Sequence, residues 1–357
     1  MYRLCTITKT QKTEFKVVKA MNGKKQRRIL GIYILLLLFV ITGCKGQDVR
    51  QETSSDTVRI GMIPKIIGIS YFDQCAQGAK EIADKYGMEL IYRGPSSADA
   101  ASQVNIVQDM IYDGVDVIAI APVDPDAVKV VLEEARSKGI IVVTFDADSV
   151  SDSRDVFVNQ VSAKELGTHL IDELVKLVGA EGNYAILTAS MTADNQNTWI
   201  HWMKDYQAWQ YPDLNLLTVI PTDEDQQKAY AHTRNLVQAY PELDGIIAMS
   251  TEAGPGAAQA IKVLGKKDEV KLYALALPND MRDYLKEGSV HLATLWNPYD
   301  LGRLTVEVIH VLQQKQEITD GSTYGEIGPI EYIESERTVI MGEPLDFNAM
   351  NVDDYDF

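Results

Sequence analysis

Cysteine is nearly missing from this chain, with Cys5, Cys44 and Cys75 the only three in 357 residues. Neither a paired-cysteine zinc site nor a framework of internal disulfides can be assembled from them. Histidine is scarce as well. His169, His201, His232, His291 and His310 fall in patterns of ordinary helices and strands, none in an HExxH helix, so they read as structural or exposed. No GxSxG elbow occurs, and Gly265-Lys266 lacks both the earlier glycine and the following Ser or Thr of a Walker A loop. Gly254-Pro255-Gly256 opens like a dinucleotide loop, but Gln259 replaces the third glycine and Pro255 removes a backbone donor that a phosphate would use. No cofactor and no metal is therefore indicated.

Positive charge is short beyond the first segment. Of 34 basic and 51 acidic residues, nine and one precede residue 45, which leaves 25 against 50 and a formal charge of about −25 on the remainder. Nucleic acid and anionic lipid would be repelled by such a surface, which excludes a nucleic-acid partner.

One apolar run stands out, Ile29 to Thr42, and it is shorter than the roughly 20 residues of a spanning helix. Basic residues from Lys24 to Arg28 precede it and Gly43-Cys44 follows, the layout of a secretory signal. It resembles a bacterial lipoprotein signal, whose lipobox ends in Gly-Cys, although Ile41 stands where leucine is most usual. That resemblance implies cleavage after residue 43 and lipidation of Cys44; an uncleaved anchor is the alternative. Residues 1–44 are thus the signal segment with its lipobox, with Met21 a second candidate start. Residues 45–57 form a flexible polar tether with Gly46, Ser54 and Ser55. The protein is expected outside the cytoplasm, lipid-anchored to the cell membrane, in the periplasm or on the outer face.

About 300 residues remain, enough for two domains. Strand-like runs at Val58–Ile63, Glu89–Tyr92, Val115–Ala121 and Ile140–Phe145 alternate with helical patterns at Phe72–Tyr86, Asp99–Tyr112 and Asp124–Ser137. After Asp155–Val158 a second series follows. It takes a helix at Ser162–Val178, a strand at Tyr184–Ala189, helices at Trp199–Trp209, Asp225–Tyr240 and Ala257–Leu264, and strands at Leu216–Ile220, Gly245–Met249 and Lys271–Leu275. A helix at Leu301–Gln314 and an acidic tail close the chain. Alternation on this scale describes an α/β protein with parallel sheets flanked by helices, and the Val, Ile and Ala runs suit strands covered on both faces. Two such series imply two lobes, with the first crossing at Asn159–Val161. Cys75, spaced with Ala76, Ala79, Ile82 and Ala83, reads as core.

Polar clusters recur at the predicted strand ends: Pro64-Lys65, Asp146 with Asp148, Asp194-Asn195-Gln196, and Ser250-Thr251-Glu252. Ligands of open parallel sheets sit in the crevice at those ends. A sugar hydroxyl both donates and accepts, so carboxylates and amides beside one lysine suit it. Phe72, Trp199 and Trp296 are candidates for packing on the apolar face of a sugar ring, and each could equally be core. Asp194 or Asn195 could merely cap the next helix, and Asp146 could merely serve a turn. An enzymatic alternative would use Asp146 and Asp194 as general acid and base on a carbohydrate.

NQNTW at 195–199, QAYPELDGIIA at 238–248, LPNDMRDYLKEGSV at 277–290, LWNP at 295–298 and the terminal DYDF, together with the strand order, resemble the sugar-binding proteins of bacterial ABC importers. Within these the likeness is to rhamnose-binding proteins and the autoinducer-2 receptor, over roughly Val58 to Phe357. The resemblance implies the type 1 periplasmic-binding-protein fold, two Rossmann-like lobes joined by a three-strand hinge. The N-terminal lobe would comprise 58–159 plus 297–328, the C-terminal lobe and tail 160–296 plus 329–357. It also implies ligand contacts from Lys65, Asp146, Asp194 and Asn195. In the autoinducer-2 branch a glutamine replaces Asn195, and proline and alanine stand where this chain has Met249 and Thr251, so a rhamnose-like monosaccharide fits better. The related lactose-type repressors carry a helix-turn-helix before the first strand, where this chain has its signal. The candidate ligand set is Lys65, Phe72, Asp146, Asp148, Asp194, Asn195, Gln196, Thr251, Glu252 and Trp296. A monomer that passes sugar to an ABC permease is the expectation.

Overall fold

A computed structural model describes residues 57–357. The signal segment, Cys44 and the tether up to Asp56 lie outside the described residues. The first series runs β1 (Arg59–Ile63), α1 (Ser70–Lys85), β2 (Glu89–Tyr92), α2 (Ala100–Asp113), β3 (Val117–Ile120), α3 (Pro125–Ser137), β4 (Ile141–Phe145) and β5 (Val156–Asn159). Local chemistry sets these bounds. Asp99 accepts from the Ser102 amide at the start of α2, and Asp124 accepts from the Asp126 and Ala127 amides with Pro125 opening α3. Gly114, left-handed at φ 70°, ends α2.

The second series runs α4 (Ala163–Val178), β6 (Asn183–Thr188), α5 (Asp194–Gln210), β7 (Asn215–Pro221), α6 (Gln226–Ala239), β8 (Gly245–Ala248), α7 (Ala253–Leu264), β9 (Lys271–Ala274), α8 (Pro278–Glu287) and β10 (Leu292–Leu295). After it come α9 (Pro298–Gln313), β11 (Thr323–Tyr324), β12 (Ile327–Pro329), β13 (Glu331–Ile333), β14 (Thr338–Ile340) and β15 (Leu345–Phe347). Among the described residues no helix is long and apolar enough to cross a membrane.

Two large sheets result. One has the order β13-β14-β5-β4-β3-β1-β2, the other β15-β10-β9-β8-β6-β7, parallel except for β13 and β15 at their edges. Every residue of β3 and β8 is buried, as helices on both faces require. The chain passes between the sheets three times: after β5, between β10 and α9, and between β14 and β15.

The third passage corrects the sequence division, which gave 329–357 wholly to the C-terminal lobe. β14 pairs in parallel with β5, Thr338 opposite Phe157 and Ile340 opposite Asn159, so residues 331–340 complete the N-terminal sheet and only the stretch from β15 onward joins the other. Strands of three residues carry too little periodicity to show which sheet they join. α8 and β10 also escape the sequence pattern: α8 buries only Pro278, Met281 and Leu285 among its ten residues. α5 starts at Asp194, five residues before the expected Trp199. α7 starts at Ala253, so Gly254-Pro255-Gly256 is its first turn and not a loop. A Cβ on Gly256 would lie 2.4 Å from the Gln226 carbonyl oxygen, which makes this glycine a contact between α6 and α7.

Helices α1 and α9 press backbone against backbone. A Cβ added to Gly78 would lie 1.9 Å from the Tyr299 carbonyl oxygen, and one on Gly302 1.9 Å from that of Cys75. Cys75 itself is fully buried, as its spacing predicts, and burial pushes its thiol well above the usual range, with the Asp146 charge adding to the effect. The contact anchors the segment after the second passage to the N-terminal lobe, and it fixes where Tyr71 at the head of α1 meets Trp296 just ahead of α9.

Candidate functional site

Where the strands' carboxyl ends face each other across the lobes lies a small hollow of about 50 Å³. Lys65 enters it from the end of β1, Tyr71 and Phe72 from the first turn of α1, and Asp146 from the end of β4. The other lobe contributes Asn195 and Gln196 from the first turn of α5, Glu224 from the β7–α6 turn, Ser250 and Thr251 after β8, and Trp296 after β10.

Asp146 is the hub. It is held left-handed at φ 63°, a conformation costing about 1–3 kcal/mol for a residue with a side chain, and its amide is tied to the Val158 carbonyl at 3.3 Å. Its Oδ1 accepts from the Tyr71 hydroxyl at 2.8 Å, and that hydroxyl accepts from Trp296 Nε1 at 2.7 Å. Its Oδ2 meets Lys65 Nζ at 3.0 Å, both side chains being at most 10% exposed. Lys65 also donates to Asn195 Oδ1 at 3.2 Å, which leaves one of its three N–H groups. Asn195 Nδ2 returns to the Asp146 carbonyl at 3.3 Å, and Ser70 Oγ donates to Asp280 at 2.9 Å. These last three bonds cross from lobe to lobe. The structure is therefore in a closed arrangement.

Three rings make the apolar wall. Trp199 and Trp296 meet edge to face at 5.7 Å between centroids, and Phe72 packs edge-on to Tyr71 at 5.1 Å and to Phe145 at 6.4 Å. Gln196 Oε1 is committed to Thr188 Oγ1 at 2.6 Å and the Ala189 amide at 2.8 Å, so only its NH₂ end can turn to a ligand.

Three residues expected in the wall are not brought there. Asp148 is taken up by Arg154, which it meets at 2.6 and 2.8 Å, by Thr144 and by the Ser149 amide, so it braces the β4–β5 connection. Glu252 lies at the N-cap of α7, where burial first, then the charges of Asp280 and Asp225, raises its carboxyl. Asp194 stays exposed at the rim, its carboxyl raised by partial enclosure and by Asp148. Because α5 already begins at Asp194, successive side chains turn by about 100°, and Asn195 and Gln196 face the hollow in its place.

Sequence reasoning missed Tyr71 and Glu224. Tyr71 looks like one more apolar residue of α1. Glu224 follows the end of β7, the same placement that singled out the other clusters, but between Asp223 and Asp225 it reads as part of a solvated acidic turn. Instead the turn is fixed: the Thr222 amide bonds to the Thr188 carbonyl at 2.8 Å, the Asp223 amide to Ala189 at 2.7 Å, and Asp225 caps α6. Burial pushes the Glu224 carboxyl up to about 7, with Lys65 and the Ser250 hydroxyl acting the other way.

Asp146 and Asp194 do not face one another across the hollow, since Asp146 lines it and Asp194 stands outside the lining. Two lobes closed over a polar hollow with aromatic backing form a receptor for a small solute. Residues 60–317 match the model of the periplasmic binding protein domain, and the chain belongs to that family. Among solved structures it is similar to an ABC transporter solute-binding protein from Clostridium phytofermentas with bound L-rhamnose, at 31% identity and a TM-score of 0.78, covering 84% of this chain and 98% of that one. LsrB from Clostridium saccharobutylicum in complex with AI-2 has the same fold, at 24% identity and a TM-score of 0.78, covering 84% and 100%. The ribose import binding protein of Bacillus subtilis (strain 168) is 24% identical over 289 residues, 79% of this chain and 92% of its own length.

Proposed function

We propose that this protein captures a neutral monosaccharide of the rhamnose kind between its lobes and delivers it to the permease of an ABC importer. The observation that carries the reading is the interlobe hollow, in which Lys65, Asp146 and Asn195 from opposite lobes converge beside three aromatic rings. The L-rhamnose-bound relative supports a deoxy sugar. Met249 and Thr251, in place of the proline and alanine expected of an autoinducer-2 receptor, speak against that ligand. Capture works by closure: groups from both lobes reach the sugar together only when closed, so the sugar shifts the opening equilibrium by its preference for the closed form. A permease then reads the closed shape.

Incubation with a panel of aldoses and deoxy sugars should raise the melting temperature for one or a few of them, and should change the tryptophan fluorescence through Trp199 and Trp296. At a thousandfold excess over the dissociation constant the gain is about 4 kcal/mol. No sugar should be consumed. Turnover of any of them, or stabilisation by none, would remove the reading.

The location proposed is extracytoplasmic, on a lipid anchor at Cys44. Acyl chains contribute roughly 0.8 kcal/mol per buried methylene, and more than one chain is needed for durable attachment. Cys44→Ser should release the protein from membranes into the soluble fraction; continued membrane retention would instead indicate an uncleaved anchor.

A further inference from the structure

Glu224 lines the hollow, and its Oε2 is shut off from solvent with no hydrogen-bond partner among the described residues. A buried carboxylate oxygen without a donor opposes folding. The backbone carries a second cost, with Asp223 at φ 53° and Glu224 at φ 52° both left-handed and neither of them glycine. Lys65 and the Ser250 hydroxyl offset the cost of burial only in part, and a donor on a bound ligand would offset the rest.

We propose that Glu224 is the acceptor for a hydroxyl of the bound sugar, and that it selects neutral, hydroxyl-rich ligands over those carrying a carboxylate or phosphate at that end. The inference rests on the sugar-receptor reading above. Lys65, the one cation among the described residues that acts on Glu224, is already paired with Asp146, so an anionic ligand would meet an acid that Lys65 does not fully neutralise. A hydroxyl supplies the missing donor without adding charge.

The groups acting on Glu224 are Lys65 from the β1 end, Asp146 from the β4 end, and the Ser250 hydroxyl and Glu252 at the head of α7. With its carboxyl raised by burial from 4.5 to about 7, the unliganded fold gains stability that is complete below about pH 4.5 and is lost as pH rises through 7. An ionised acceptor makes ligand binding run the other way, so affinity increases between about pH 6 and pH 8 and then levels.

The test takes the sugar that stabilises the wild-type chain best and measures its binding by calorimetry to wild type, E224Q and E224A at about pH 6 and 8, beside thermal melts of the unliganded proteins. At the higher pH, E224A should bind roughly 30-fold more weakly or worse, consistent with the loss of a charged hydrogen bond. Its unliganded melting temperature should rise, because the unpartnered carboxylate is gone. E224Q should lose the pH dependence, and the uronic acid of the same sugar should bind wild type poorly. Equal binding by wild type and E224A would overturn the role of Glu224 while sparing the sugar reading. So would affinity and unliganded stability falling together in both variants, since that marks a structural residue. Failure of the wild-type chain to bind any sugar would bring down the underlying reading and this inference with it.

Discussion

Asp146→Asn should lower sugar affinity by about 100-fold or more and lower the unliganded melting temperature as well. Asparagine keeps the shape and tolerates the left-handed backbone at φ 63°, so the change removes charge and little else. Lys65, at most 10% exposed, then loses its counter-ion. Truncating one partner of a buried charge pair costs about 3–5 kcal/mol, mostly because the other charge is stranded. Lys65 also links Asp146 to Asn195 across the lobes, so the loss falls on the closed form in particular. Asp146→Ala should be worse still, by roughly 1 kcal/mol, because alanine resists the left-handed region. Calorimetry with the best-binding sugar and a thermal melt check both. Affinity of Asp146→Asn within threefold of wild type would remove Asp146 from the ligand's contacts.

Gly302→Ala should destabilise the fold strongly through a single methyl group. Its Cβ would lie 1.9 Å from the Cys75 carbonyl oxygen, with the Cys75 carbonyl carbon at 2.7 Å and the Ala79 amide nitrogen at 2.9 Å. Backbone cannot swing aside as a side chain can, so α1 and α9 must separate. Overpacking of this kind costs about 3 kcal/mol, which in a chain of this size lowers the melting temperature by roughly 5 °C. Binding should weaken too, because the chain from Trp296 through Tyr71 to Asp146 spans the heads of those two helices. A melt within 1 °C of wild type would show that the helices can part freely, and the account of how the two halves of the aromatic wall are aligned would fall.

Glu224 and Asp146 illustrate different degrees of legibility. Asp146 directly follows a clear apolar strand, so its placement at a crevice follows from the strand itself. Glu224 lies in a run of acids whose composition says solvent, and only the bonds of Thr222 and Asp223 to the end of β6 turn it inward. Asp194 shows the reverse case. Its chemistry suits the site, yet α5 begins at Asp194 and not at Trp199, and its first turn presents Asn195 and Gln196 to the hollow.

Sequence alone determined what depends on neighbours a few positions apart. That includes the alternation of buried strands with amphipathic helices, the caps at Asp99, Asp124, Ser162 and Asp225, the burial of Cys75, and the polar strand ends at Lys65 and Asp146. Tertiary structure decided what depends on contacts between distant segments: the return of Thr338–Ile340 to the first sheet, the lobe-to-lobe bonds of Lys65 and Asn195, and the enclosure of Glu224. The division has a physical basis. Periodicity and capping are set by local backbone geometry, whereas strand pairing, charge compensation and desolvation are settled only when parts of the chain far apart in sequence meet.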